Sequence, residues 1–188
     1  MPKSNTRESI LEIGMELICG RGYNGFSYQH IADQLNVKKA AIHYHFPAKE
    51  DLALAVVELQ RDKVYSALRF VDDDTAVDVF ERLLDLYQSY DLAHGLCTPD
   101  SALAAEAVAI AAPINAACQA LTMDLISWIE NFLDKGAKAG TLKFAGSSDG
   151  HALNILTSLI GAQLLTFSSG IDVMSKTADK LRSEFVVA

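Results

Sequence analysis

Apolar residues recur about every three to four positions along almost the whole chain, which places them on one face of a helix. In the first segment, this apolar face consists of Ile10, Leu11, Met15, Leu17 and Ile18. No segment alternates between apolar and polar residues in the way that a half-buried strand does. The pattern therefore predicts an all-α fold of about nine helices, without strands.

Cap and turn residues divide positions 1–50 into three helices. Ser27 suits the N-cap of the second helix, and Asn36 suits the left-handed residue that ends it. Pro47 ends the third helix. The three predicted helices cover about 5–22, 28–35 and 38–45. Two short helices joined by a tight turn, with another helix before them, predict a helix-turn-helix at about residues 27–46.

The remaining positions predict a helical body that follows this three-helix head. The apolar spacing continues beyond Lys49, and glycines or clusters of aspartate interrupt it. The predicted helices of the body cover about 49–71, 75–92, 101–112, 113–139, 147–168 and 171–186. We therefore assign the head to residues 1–50 and the body to residues 51–188.

The stretch Gly150–Ile171 carries no charged residue and is apolar on nearly all sides. Its polar groups, among them Asn154 and Gln163, are too numerous for a membrane span, so we predict a packed helix of a soluble protein. Such a helix needs cover on both sides, and a partner subunit can provide one of them. Small residues allow close approach: Ala152, Ser158, Gly161 and Ala162. Together with 171–186, this helix predicts half of a four-helix interface in a two-fold homodimer.

Charge and cysteine content restrict the possible functions. The formal charge is −8, with +1 in residues 1–50 and −9 in residues 51–188. An acidic body repels nucleic acid, so DNA contact requires a basic face in the head. No secretory signal opens the chain, and its 3 cysteines lack metal-ligand spacing, which predicts a cytoplasmic protein without metal or cofactor. An enzyme is the alternative, but no nucleophile-elbow, Walker or zinc-ligand pattern supports catalysis.

The third predicted helix combines a buried side with a basic and aromatic outer side. The expected bracing residues are Ile31, Leu35, Val37, Ile42 and Phe46. The expected outer residues are Lys38, Lys39, Ala41, His43, Tyr44 and His45. Lysines and aromatics concentrated on one helix favour contact with a DNA groove. Two alternatives stay open: packing roles for the two histidines, and a three-helix head that binds a partner other than DNA.

The head also resembles a known family, the tetracycline-repressor (TetR) family of transcriptional regulators. The matching blocks, in order, are Thr6–Leu11, Arg21–Tyr23, Phe26–Ser27, Ile31–Ala32, Leu35–Val37 and Lys39–Leu52. The resemblance implies DNA contacts by Ser27, Tyr28, Gln29, Lys38, Lys39, Ala41, His43, Tyr44 and Lys49. The family usually has glycine and threonine where Ala40 and Ala41 stand, and tyrosine where His43 stands. These departures concern which operator sequence is bound, not the binding mode.

The resemblance further implies a ligand-responsive repressor that a small molecule releases from a near-palindromic operator. It places an effector cavity in the body, for which we select Tyr87, Tyr90, Cys97, Met123 and Trp128. The alternative for each of these residues is plain core packing. Cys97, in a segment that contains His94, is either a sensor of electrophiles or oxidants or a small buried apolar residue. An activator is the alternative to a repressor.

Overall fold

A computed structural model describes residues 6–71, 73–90 and 97–187. Within these ranges the chain forms nine helices and no strand, which confirms the all-α prediction. Leu142 and Val186 form an isolated antiparallel bridge. The helices are α1 Thr6–Arg21, α2 Tyr28–Leu35, α3 Lys39–His45, α4 Lys49–Leu68, α5 Ala76–Gln88, α6 Pro99–Ala105, α7 Ala112–Ala139, α8 Ser148–Ser169 and α9 Val173–Phe185.

The residues expected to end the head helices have the conformations that this role requires. Gly22, with φ of +74°, follows α1, and its N–H donates to the Ile18 carbonyl at 2.9 Å. Asn36 follows α2 in the left-handed region, at φ 52° and ψ 46°. Lys38 is extended and serves as the N-cap of α3, so α3 begins one residue later than predicted. The predicted start of α1 at Asn5 lies outside the described residues.

Two helices of the predicted body end earlier than the apolar pattern indicates. α4 ends at Leu68 rather than near residue 71, because Arg82 donates to the carbonyls of Ala67 and Arg69. A side chain thus satisfies backbone groups that a longer helix would have used. α6 ends at Ala105 rather than near residue 112, and turns follow it. The predicted end of α5, Leu92, falls outside the described residues.

The first of two compact units consists of Met1–Gln60 and Thr98–Ala120. In this unit α1 packs against α2 and α6, and α2 packs against α3. The unit therefore includes α6, which differs from the predicted division of the chain at residue 50. Its fully buried apolar side chains include Ile10, Ile18, Ile31, Ile42, Leu52 and Leu103.

The second unit consists of Arg61–Cys97 and Leu121–Ala188. Here α8 packs against α9, and α5 packs against both. The ring of Phe80 lies 5.7 Å from that of Phe132 and 6.0 Å from that of Phe185, measured between centroids. These aromatic contacts join α5, α7 and α9 in one apolar core.

Among the described helices, only α8 has the length and the apolar composition that a membrane span needs. In its most apolar stretch, 33% is buried within the protein. Its contacts with α5 and α9 make it a packed helix of the second unit. The Gln163 side chain is fully buried, and its Nε2 donates to the Tyr87 carbonyl at 2.9 Å. One side of α8 is therefore covered by its own chain, as predicted, while the opposite side is exposed.

Candidate nucleic-acid interface

Helix α3 is anchored to the first unit by two side chains, Ile42 and Phe46, which are 0% and 2% exposed. Ile31 of α2 is also fully buried, so three of the five predicted bracing residues lie in the core. Leu35 is half-buried and Val37 is 37% exposed, so the turn between α2 and α3 is braced less completely than expected. A short helix anchored on one side keeps its other side available.

The available side of α3 carries Lys39 and Tyr44, with Lys38 just before the helix. Tyr44 is 83% exposed, and its ring meets only the edge of His45, at 5.1 Å between centroids. Both lysines are exposed, and neither forms an ion pair with any described residue. Ammonium groups donate to phosphates and guanine edges, and the phenol offers both a ring and a hydroxyl. Ala41, expected to touch a thymine methyl group, is half-buried.

Two residues at the start of α2 are exposed, as a DNA-contacting role requires. Gln29 donates from Nε2 to the Asp33 carboxylate at 2.7 Å, so its amide is oriented along its own helix. The backbone N–H of Ser27 donates to His30 Nδ1 at 3.1 Å. This bond engages the Ser27 N–H, so the hydroxyl is the group that Ser27 has left to offer a phosphate.

His43 is exposed, but its ring is held by neighbouring groups. Nδ1 lies 3.2 Å from the Pro47 carbonyl, which accepts a hydrogen bond when this nitrogen carries the proton. The ring also stands edge-on to Tyr28, with 4.9 Å between centroids. With Nδ1 directed at a carbonyl, Nε2 is the ring nitrogen that remains for an outside partner.

Tyr28 does not lie on the surface where the resemblance placed it. Its side chain is 4% exposed, and its hydroxyl donates to the Ala48 carbonyl at 2.6 Å. Burial raises the pKa of this tyrosine, with a further contribution from the negative charge of Asp51. The phenol therefore stays protonated as a donor inside the head, and we remove Tyr28 from the proposed contacts.

Lys49, expected to contact a phosphate, directs its charge into the head instead. Its Nζ donates to the Phe26 carbonyl at 2.5 Å and lies 4.2 Å from the ring centroid of Phe26 and 4.7 Å from that of Tyr23. Burial lowers the pKa of Lys49, and the Glu106 carboxylate opposes that shift. The cation holds the loop between α1 and α2 together, so it is also removed from the proposed contacts.

Sequence reasoning missed one basic residue of this region, Arg7. It is exposed near the start of α1, and its guanidinium carbon stands 5.0 Å from the ring centroid of Phe46, directly after α3. The charge therefore lies close to the end of α3. The spacing of apolar residues gives no sign of this contact, because 39 positions separate the two residues in the sequence.

Residues 10–56 match the family model for bacterial regulatory proteins of the tetR family. The match runs from within α1 to the first part of α4 and includes the whole helix-turn-helix. This match assigns a tetR-type head to residues 10–56, about a quarter of the chain. The TetR-type head thus coincides with the exposed α3 and its anchoring residues, and the matched relatives are regulators rather than enzymes.

Two curated relatives match part of this chain. The uncharacterized HTH-type transcriptional regulator YuxN of Bacillus subtilis is 34% identical over 59 residues, which are 31% of this chain and 20% of YuxN. The HTH-type transcriptional activator FasR of Mycolicibacterium smegmatis is 32% identical over 69 residues, which are 37% of this chain and 32% of FasR. The matches thus span about a fifth to a third of these relatives.

Solved structures match nearly the whole chain. A TetR transcriptional regulator from Legionella pneumophila has a TM-score of 0.86 and 26% identity, covering 97% of this chain and 98% of that one. A putative regulator from Saccharomonospora viridis, in complex with choline, has a TM-score of 0.72 and 23% identity, covering 97% and 98%. The second likeness concerns the fold alone.

The structure does not bring the five expected effector residues of the body together in either described cavity. Tyr87 is a fully buried core residue, while Met123 is 65% exposed. Trp128 is half-buried, 5.7 Å from the ring of Tyr65, and Tyr90 is half-buried. Two cavities within the described residues, of about 510 and 310 Å³, are lined instead by residues of α8, α9 and the segment before α8.

All three cysteines of the chain are buried, which limits their reactivity. Cys97 is 6% exposed, so an electrophile has little access to its sulfur, and the expected neighbour His94 lies outside the described residues. Burial raises the pKa of Cys118 to about 11, and the nearby Asp100 contributes. A thiol with a raised pKa is a poor nucleophile at neutral pH. This environment favours packing roles.

Proposed function

We propose that the chain is a homodimeric transcriptional regulator that inserts α3 into the major groove of a near-palindromic DNA site. The observation that carries this proposal is the exposed trio Lys38, Lys39 and Tyr44 on a helix anchored by Ile42 and Phe46. The proposed contact set adds Ser27, Gln29, Ala41 and His43. The acidic remainder of the chain confines DNA to this face through repulsion.

The exposed side of α8 supports the homodimer. Four large apolar side chains on this side are 37 to 56% exposed: Leu153, Leu164, Leu165 and Phe167. Ile171, just after the helix, is 57% exposed. The cavity between α8 and α9 is lined by small residues such as Gly161 and Ala162. When this face packs against the same face of a second chain, apolar surface is removed from water. A two-fold pair then presents recognition helices to half-sites about 34–36 Å apart.

We further propose that a small molecule controls DNA binding and that the regulator is a cytoplasmic repressor. The solved relative in complex with choline supports an effector of small size. FasR is an activator, and this favours activation as the second candidate. A sensor role for Cys97 receives little support, because its side chain is buried. The effector residues Tyr87, Tyr90, Cys97, Met123 and Trp128 stay proposals for the body.

The test begins with selection of duplexes from a random-sequence library by the wild-type protein. We expect enrichment of a near-palindromic site, bound by two chains, with an affinity that falls steeply as salt rises. Lys39→Met and Tyr44→Ala should weaken binding to the selected duplex. Lys138→Met, an exposed lysine of α7, is the matched control and should bind like the wild type. Failure to enrich any sequence, together with equal binding by all variants, would contradict the proposed function.

A further inference from the structure

The end of α6 is attached to the loop that precedes α2. Glu106, the C-cap of α6, accepts two hydrogen bonds from Asn24 through Oε2, one from the backbone N–H at 3.1 Å and one from Nδ2 at 2.7 Å. The two residues are 82 positions apart and belong to the same compact unit. We call this contact the Glu106–Asn24 clasp.

The loop is shaped to receive this carboxylate. Gly22 has a φ of +74°, and a Cβ at this position would meet Glu106 Oε1. Only a residue without a side chain leaves that space open in this backbone conformation. Lys49 holds the same loop from within, through the Phe26 carbonyl and the rings of Tyr23 and Phe26. An anion on one side and a cation on the other therefore fix the segment 22–26.

This segment ends at Ser27, the N-cap of α2 and a proposed DNA contact. The clasp therefore acts on the position of the α2 N-terminus. Glu106 itself lies outside residues 10–56, which match the family model. α6, which carries Glu106 at its end, also packs against α1. A shift of the end of α6 would withdraw the carboxylate from Asn24 and free the loop.

We propose that Glu106 is a positioning residue for DNA binding, which holds the loop 22–26 so that Ser27 and α2 meet the DNA correctly. This proposal rests on the proposed function. It means that DNA affinity depends on where α6 ends, so anything that displaces α6 lowers that affinity. The residue acts through Asn24, and its own negative charge would repel DNA phosphates if it came near them.

Because Glu106 is negatively charged, the direction in which DNA affinity changes when it is replaced tests the proposal. By electrostatics alone, removing a carboxylate strengthens DNA binding. If the clasp positions α2, Glu106→Ala weakens binding to the selected duplex, by about three- to tenfold. Glu106→Gln keeps an oxygen that accepts from Asn24 and should restore most of the affinity. The matched control, Glu16→Ala on α1, removes an exposed carboxylate and should bind as tightly as the wild type or more tightly.

Two further measurements separate positioning from loss of fold. Affinity for a scrambled duplex of equal composition should not fall in Glu106→Ala, because phosphate attraction does not need the exact loop position. Asn24→Ala should weaken specific binding like Glu106→Ala, and the double variant should lose little more than either single one. The proposal would be overturned if Glu106→Ala bound the selected duplex as tightly as the wild type or more tightly. It would also be overturned if the double variant lost the full sum of the two single losses in binding free energy. Enrichment of a site by the wild type decides the proposed function separately.

Discussion

The Tyr28 hydroxyl joins the first residue of α2 to the carbonyl of Ala48, the residue just before α4, through a hydrogen bond of 2.6 Å. Because α3 lies between these two points in the sequence, the bond closes the segment that carries the recognition helix. The same ring meets His43 of α3 edge-on. A single buried tyrosine therefore connects three helices of the head.

Tyr28→Phe should lower the free energy of unfolding by about 1 kcal/mol, because the Ala48 carbonyl loses its donor while the ring packing is kept. The measurement is urea denaturation followed by circular dichroism. Tyr44→Phe is the control, since its side chain is 83% exposed, and it should leave the unfolding midpoint unchanged. Equal effects of the two variants would mean that the hydroxyl of Tyr28 does not stabilise the head.

Lys49→Met should lower the stability of the fold, whereas Lys39→Met should lower the salt dependence of DNA binding. Lys49 holds the Phe26 carbonyl and two aromatic rings, so its loss should cost about 1 kcal/mol of stability and leave the salt dependence of DNA binding unchanged. Lys39 is exposed, so its loss should leave stability within about 0.5 kcal/mol of the wild type. Because both chains of the dimer lose this lysine, the salt slope should fall by about two.

The two lysines are compared by urea denaturation and by titration of the selected duplex at several salt concentrations. A reduced salt slope for Lys49→Met, with unchanged stability, would return Lys49 to the set of phosphate contacts. A lower stability of Lys39→Met, with an unchanged salt slope, would remove Lys39 from that set. The comparison therefore tests the assignment of each cation independently.

Local signals predicted the elements of the head, because Ser27, Asn36 and Pro47 act on their own neighbours in the sequence. The same signals did not separate Tyr28 from Tyr44, both aromatic residues in the matched head. One is buried and the other exposed, and this depends on packing between helices. The contact of Glu106 with Asn24 also joins distant positions, so no spacing rule indicates it.

The body was harder to predict for the same physical reason. An apolar period identifies the helix that carries Tyr87 but does not show which side chains surround a cavity. Tyr87 is in the core while Met123 is at the surface, although both had been assigned to one ligand site. The exposed side of α8 was anticipated, since an uncharged helix that is apolar on nearly all sides has more apolar surface than one neighbour covers.

Gly161→Leu should convert the protein from dimer to monomer. A Cβ at Gly161 meets no described atom within 4 Å, so the chain itself has room for the larger side chain, and only a partner packed closely against α8 would be displaced. Replacing glycine within a helix also favours helix formation, so the fold should be kept. Sedimentation at micromolar concentration measures the mass, and loss of paired binding should weaken affinity for the selected duplex by about a hundredfold.

The matched control for this prediction is Asn131→Leu, which adds the same side chain at an exposed position of α7. It should remain a dimer. If Gly161→Leu also stays dimeric and binds DNA like the wild type, the face formed by α8 is not the subunit interface.

Asp100 should make the protein less stable as pH rises. Its carboxyl is 5% exposed near Gln60, Thr98 and Cys118, and among the described residues Oδ1 has no hydrogen-bond partner. Burial raises the pKa of Asp100, and the nearby polar side chains of Thr98 and Gln60 oppose that shift. The folded state therefore keeps the proton at pH values where the unfolded chain, with a carboxyl pKa of about 3.9, has lost it. The free energy of unfolding then falls as pH rises from about 4 through the raised pKa.

Asp100→Asn cannot ionise, so it should be more stable than the wild type at pH 8, by on the order of 1 kcal/mol, and this advantage should shrink toward pH 4. Urea denaturation of both proteins across this range measures the difference. Asp62→Asn, at an exposed position of α4, controls for the loss of one negative charge. An advantage of Asp100→Asn that is constant with pH would show that burial of the ionised carboxyl is not its cause, because only a titrating group produces a slope.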